Sequence, residues 1–150
     1  MRRIFFAALS TALLTLASLS LSAADDTIGK PMTVYKSPTC ACCAKWVDYL
    51  RRDGFDVRVV DGANMSTIKE YHGVTPRLAS CHTAVIDGYV IEGHVPSADI
   101  RRLLRQRPAV LGLTAPGMPQ FSPGMRSETP RGYDVLSFNK DGTLNVYSRY

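Results

Sequence analysis

The chain has 150 residues, 45% of them hydrophobic and 21% charged, and 18 basic against 13 acidic side chains give a formal charge of +5. That balance belongs to a folded domain and excludes a collagen-like repeat, a coiled coil and a polytopic membrane protein. The basic excess is small and scattered, so it argues for a solvated surface and against nucleic acid as a partner.

Met1-Arg2-Arg3, an apolar run from Ile4 to Leu21 and the small residues Ser22-Ala23-Ala24 have the layout of a secretory signal peptide. Cleavage before Asp25 is expected, leaving residues 25–150 as one domain of charge +3 with no membrane attachment. An uncleaved anchor is the rival reading. Against it, the run barely reaches bilayer length, is diluted by three serines and two threonines, and has no stop-transfer charges after it. Two leading arginines suit bacterial export, and the oxidising periplasm is the expected location.

In the mature chain, Met32 to Lys36 is β-prone and Ser37-Pro38-Thr39 breaks it. A helix should begin at the Cys40-Ala41-Cys42-Cys43 turn, with Trp46, Val47 and Leu50 on its apolar face and Gly54 as its stop. Asp56 to Val60 alternates as a second strand, and Asn64 or Ser66 can cap a short helix carrying Ile68 and Tyr71. Thr83 to Ile86 and Tyr89 to Glu92 flank Asp87-Gly88, the clearest hairpin signal in the chain. A third helix follows from Pro96-Ser97, buried through Ile100, Leu103 and Leu104 and closed by Pro108. Leu111 to Arg131 is rich in proline and glycine, lacks periodicity and is expected to be a long loop. A last hairpin, Tyr133 to Phe138 and Thr143 to Tyr147, should add to the sheet or pack beside it. The order predicts an α/β fold whose first two strands, joined through a helix, are parallel, with helices covering the sheet.

Sulfur carries the chemistry. Cys40 and Cys43 have the C-x-x-C spacing at a helix start, where free N–H groups and the helix dipole favour a thiolate. Cys42 complicates a simple dithiol, because it is an adjacent competitor for exchange with any Cys40–Cys43 disulfide. Three soft thiolates on one turn suit Cu(I), and adjacent residues that point apart suit different metal atoms. With Cys81 from the strand region, they can hold a small sulfur-bridged multi-copper cluster. The alternatives stay open: a redox dithiol, or two structural disulfides in one of three pairings.

Cys81 is followed by His82, and His94 lies just past the hairpin in Glu92-Gly93-His94-Val95-Pro96. Imidazole binds both copper valences, so either histidine beside the thiolates lets the site tolerate Cu(I) and Cu(II). Each can equally cap a turn. Met118 and Met125 stand in matching Pro-Gly-Met contexts inside the loop, where thioethers are soft ligands for Cu(I) and core filling is the plainer role.

Four motifs together carry a resemblance: Thr39-Cys-Ala-Cys-Cys43, Ser80-Cys-His-Thr-Ala84, Glu92-Gly-His-Val-Pro96, and Gly117-Met-Pro119 to Pro123-Gly-Met125. They look like the periplasmic copper-resistance proteins of the CopG type, over about residues 32 to 126. The resemblance implies a thioredoxin-like mixed sheet flanked by helices, with the Pro/Gly/Met loop and an extra C-terminal hairpin appended. It implies copper bound as a cysteine-bridged multinuclear cluster and a role in copper tolerance that interconverts Cu(I) and Cu(II), which would make the protein a copper oxidoreductase. Cys40, Cys42, Cys43 and Cys81 would be bridging ligands, with His94, Met118 and Met125 as further ligands. Partners would be copper ions and periplasmic copper-efflux or redox proteins. The rival functions are a thiol–disulfide oxidoreductase and a passive copper buffer or chaperone.

Overall fold

The computed structural model describes residues 29–62 and 64–150; the expected signal peptide, 1–24, lies outside them. Among the described residues, the strands β1 (Pro31–Lys36), β2 (Asp56–Asp61), β3 (His82–Ile86), β4 (Tyr89–Glu92), β5 (Gly112–Thr114), β6 (Asp134–Phe138) and β7 (Leu144–Arg149) form one sheet in the order β2-β1-β3-β4-β5-β6-β7. Helices α1 (Ala41–Arg52), α2 (Met65–Tyr71) and α3 (Ser97–Gln106) intervene. The pairs β1–β2 and β4–β5 are parallel; β1–β3, β3–β4, β5–β6 and β6–β7 are antiparallel. The unit β1-α1-β2-α2-β3-β4-α3, with β3 antiparallel to its three companions, is the thioredoxin-like arrangement the resemblance implied. No described helix is long and apolar enough to cross a membrane.

Each element follows from its residues. Met32 and Val34 alternate along β1 and are fully buried, while Thr33 and Tyr35 between them face the other side. Trp46, Val47 and Leu50 of α1 and Ile100, Leu103 and Leu104 of α3 pack with Met32, Val34, Ile86, Ile91 and Leu113 in one large core. Val74, Leu78, Val90 and Phe138 form a smaller cluster, joined by Leu111 and Leu144. Asn64 caps α2, its side chain accepting from the Thr67 amide at 3.4 Å. Arg107, left-handed at φ 50°, ends α3 just before Pro108.

One expectation is corrected. Residues 112–114, assigned to the long loop, form β5 and carry the terminal hairpin into the sheet. Gly112 makes this possible, because a Cβ there would lie 1.9 Å from the Val90 carbonyl oxygen. The hairpin therefore extends the sheet through β5.

Candidate metal centre

The end of β1 delivers the chain to the N-terminus of α1. Cys40 is the N-cap residue, and Cys42 and Cys43 occupy the first turn, where the helix leaves amides without intrahelical partners. Cys40 and Cys43 form a disulfide, and Cys42 and Cys81 are free thiols. Of the three cysteines of this turn and Cys81 from the strand region, two are thus joined and two are free thiols; reduction is required before Cys40 or Cys43 can ligate.

β3 lies beside β1 with His82 opposite Lys36, which brings Cys81 to the helix turn. The Cys42 sulfur is 3.5 Å from that of Cys40 and 3.9 Å from that of Cys81. His94 arrives from β4. Gly93, at φ 73°, lets the strand end press against the Cys81 segment: a Cβ there would meet the Ser80 side chain at 2.5 Å and the Ala115 carbonyl at 2.8 Å. The Gly93 amide also donates to the His82 carbonyl at 3.0 Å.

The histidines are held differently. His94 Nδ1 lies 2.6 Å from the Pro123 carbonyl, which can only accept, so Nδ1 carries the proton and Nε2 turns a lone pair to the Cys81 sulfur 3.1 Å away. His82 is fully buried, 4.3 Å from Trp46 and 5.1 Å from His94 between ring centroids, with Nδ1 3.5 Å from the Cys81 sulfur. Its Nε2 has no hydrogen-bond partner among the described residues. Burial lowers the pKa of both rings, that of His82 strongly with help from His94 and Lys69, and keeps them neutral as a ligand must be. Burial, reinforced by repulsion from Cys42, pushes the Cys81 thiol up to about 12. A cation that ionises this thiol therefore competes with a firmly held proton.

Two overlapping donor sets result, each with its donor atoms within 4.8 Å of one another: Cys40, Cys42, Cys43 and Cys81, and Cys81, His82 and His94. Sulfur with imidazole suits soft and borderline cations. The Pro/Gly/Met loop reaches the site at Pro123, whose carbonyl accepts from His94, and at Gly124, whose Cβ would lie 2.9 Å from the Cys42 carbonyl. Its methionines lie at the margins. Met118 is 55% exposed beside Gly117, which pairs with Ser80, and Met125 lines a groove with Lys45, Asp48 and Arg52. His72 caps the end of α2 against Tyr35 and Tyr71.

Glu92 escaped the sequence reading. Fully buried at the end of β4, its carboxylate accepts from the Ser80 amide at 2.6 Å, the Thr83 hydroxyl at 2.7 Å and Lys69 Nζ at 2.5 Å. Burial raises its pKa and the Lys69 ammonium pulls it back. The carboxylate thereby clamps the residues on either side of Cys81-His82. An acidic residue two positions before a candidate ligand was the available signal.

A family described as a protein of unknown function, DUF411, matches residues 78–125. No curated protein matches the chain. Two solved structures, both titled copper resistance protein CopG and designated form 1 and form 2, are 39% identical with a TM-score of 0.74. They cover 81% of this chain and 97–98% of their own. That share of 150 residues is more than residues 32–126 can supply, so the likeness runs beyond the segment the motifs had delimited.

Proposed function

The chain belongs to the CopG family of copper resistance proteins, and from that membership we propose that it binds several Cu(I) ions together through Cys40, Cys42, Cys43 and Cys81. The observation that carries this reading is the convergence of four cysteine sulfurs, three from one helix turn and one from the residue just before β3, within 4.8 Å. Thiolate sulfur bridges cuprous ions, and the helix N-terminus offsets the accumulated negative charge. Reduction of the Cys40–Cys43 disulfide opens the full set.

Copper is here cargo whose valence the protein changes: one electron leaves Cu(I) for a periplasmic redox partner, or enters Cu(II) from it. His82 and His94 supply donors that tolerate both valences, and Met118 and Met125 act as outer thioethers that tune and do not create the site. The domain begins at Asp25 after export to the periplasm, where copper-efflux proteins are the natural recipients.

Anaerobic titration of the reduced protein with Cu(I), metal counted per chain, tests the cluster. Two or more ions per chain, reduced in number by Cys42→Ser, are expected; zero or one overturns it. Reversible reoxidation of the loaded protein without metal release, followed by electron paramagnetic resonance, tests the redox role, and expulsion of copper would leave storage or delivery. The Cys40–Cys43 disulfide favours a second reading, thiol–disulfide exchange on protein substrates. Turnover of a peptide disulfide in the presence of a copper chelator would support it.

A further inference from the structure

The Cys40–Cys43 disulfide leaves two free thiols, and they are neighbours: the Cys42 and Cys81 sulfurs stand 3.9 Å apart. We propose that Cys42 and Cys81 are a reducing dithiol for cupric ion, giving one electron to each of two Cu(II) and closing a second disulfide. This rests on the reading above that copper is cargo whose valence changes, and it names the chain's own sulfur as the immediate source of the electrons.

Access and line of attack single out this pair. Cys42 and Cys81 are both partly exposed, whereas Cys43 is fully buried, so the two free thiols are within reach of an ion in solution. Exchange between Cys42 and the existing disulfide is not set up, although adjacency in sequence suggests it. A thiolate attacks along the line of the bond it breaks. From 3.5 Å off the Cys40 sulfur, that line would leave Cys42 and Cys43 about 5.5 Å apart, given a covalent S–S length of about 2.05 Å. The four sulfurs all lie within 4.8 Å of one another, so Cys42 stands well to the side of it. Attack on Cys43 is further from alignment, since the leaving sulfur would then be that of Cys40, only 3.5 Å from Cys42. The sulfur left for Cys42 to bond with is that of Cys81.

The step balances on sulfur. A cupric ion docks at His94 Nε2, whose lone pair faces the Cys81 sulfur at 3.1 Å; imidazole accepts either valence. Cys81 releases its proton and passes one electron to that ion, which becomes Cu(I). The sulfur left one electron short bonds to the Cys42 thiolate beside it, and the surplus electron of the new S–S bond reduces a second Cu(II). Two cupric ions and two thiols thus become two cuprous ions, one disulfide and two protons released to solvent. Bonding asks for about 2 Å of approach. That movement falls to the two side chains, because helix α1 holds the Cys42 backbone while Glu92, through the Ser80 amide and the Thr83 hydroxyl, holds the chain on either side of Cys81. A partner dithiol restores the pair by exchange, leaving as a disulfide itself.

The test uses the chain with its Cys40–Cys43 disulfide intact, verified by mass and by a titre of two thiols, under anaerobic conditions without added reductant. Cu(II) alone, at four equivalents, is the probe. Electron paramagnetic resonance should lose the signal of two ions per chain and keep that of the other two, while the thiol titre falls from two to zero and the chain stays monomeric. The double variant Cys40→Ser, Cys43→Ser, in which Cys42 and Cys81 are the cysteines that remain, should reduce the same two ions and yield a peptide joining Cys42 to Cys81. Cys42→Ser and Cys81→Ser should each slow reduction at least tenfold and make its rate depend on protein concentration, with disulfide-linked dimers as the product. A parent count other than two, thiols that survive, or a linked dimer from the parent overturns the proposal, as does a double variant of unchanged circular dichroism that reduces none. The Cu(I) titration and the reoxidation of loaded protein both start from the fully reduced chain, so failure of the cluster reading and failure of this dithiol are told apart.

Discussion

Glu92 places a carboxylate where no water reaches, and its three donors must then replace a hydration shell. Removing one partner of such a pair costs about 3–5 kcal/mol, since the other is left charged and buried. Glu92→Ala should therefore lower stability by about that amount in urea unfolding, and adding Lys69→Met should recover most of the loss. A cost below about 1 kcal/mol would mean that the Lys69 pair is not sustained in solution. The cysteines, His82 and His94 were legible because their residue types and spacing name a chemistry. Glu92 was not: its partners Lys69 and Ser80 lie 23 and 12 residues earlier, and no local pattern couples those positions.

Among the elements, the loop from Pro116 onward depends on contacts as close as those of the core. Gly124 sits at φ 84°, and a Cβ there would lie 2.8 Å from the Trp46 amide nitrogen and 2.9 Å from the Cys42 carbonyl. Gly124→Ala must lift the loop from α1, at about 1–3 kcal/mol, and carry the Pro123 carbonyl away from His94. The expected outcome is a lower urea midpoint together with weaker Cu(I) retention against a competing chelator; a lower midpoint with unchanged retention would show that the Pro123 contact does not serve the site. The helices and the central hairpin were readable from periodicity and turn residues. β5 was not, because Gly112-Leu113-Thr114 is too short to alternate and a glycine ordinarily ends a strand. Its assignment depends on the Val90 backbone, more than twenty residues away in sequence.

Across the whole molecule, the terminal hairpin is tied to α3 by a polar knot. Buried Asp99 accepts from Arg102 at 3.0 Å, the Ser148 hydroxyl at 2.5 Å and the Tyr150 hydroxyl at 2.8 Å, and Tyr133 stacks on Tyr150 at 5.5 Å. Burial first, then the Asp99 carboxylate and neighbouring phenols, raise the pKa of Tyr133 and Tyr150 well above the usual phenol value. The sign follows directly. Unfolded phenols lose their protons near pH 10 while these two keep theirs, so their stabilising contribution is complete below about pH 10 and is lost as pH rises toward the folded values. Urea midpoints should fall above about pH 10, and Tyr133→Phe should flatten the decline. Because the Tyr133 hydroxyl has no partner among the described residues, that variant should cost little at neutral pH. An alkaline slope identical in parent and variant would refute the account. From sequence the hairpin itself could be foreseen, but its attachment through Asp99 could not, since all of the knot is non-local.

The donors also differ in when they come together. Cys40 and Cys43 are three positions apart, whereas Cys42 and Cys81 are separated by 39. Half of the candidate ligand set is therefore assembled by chain connectivity alone, and the other half only by the finished sheet. An unfolded copy of the chain already carries a chelating turn that can seize a thiophilic ion. Metal will then stabilise both ends of the folding equilibrium, and the rise in melting temperature on loading will understate the affinity of the native protein. A nascent chain can also acquire its cargo before β3 and β4 close over it.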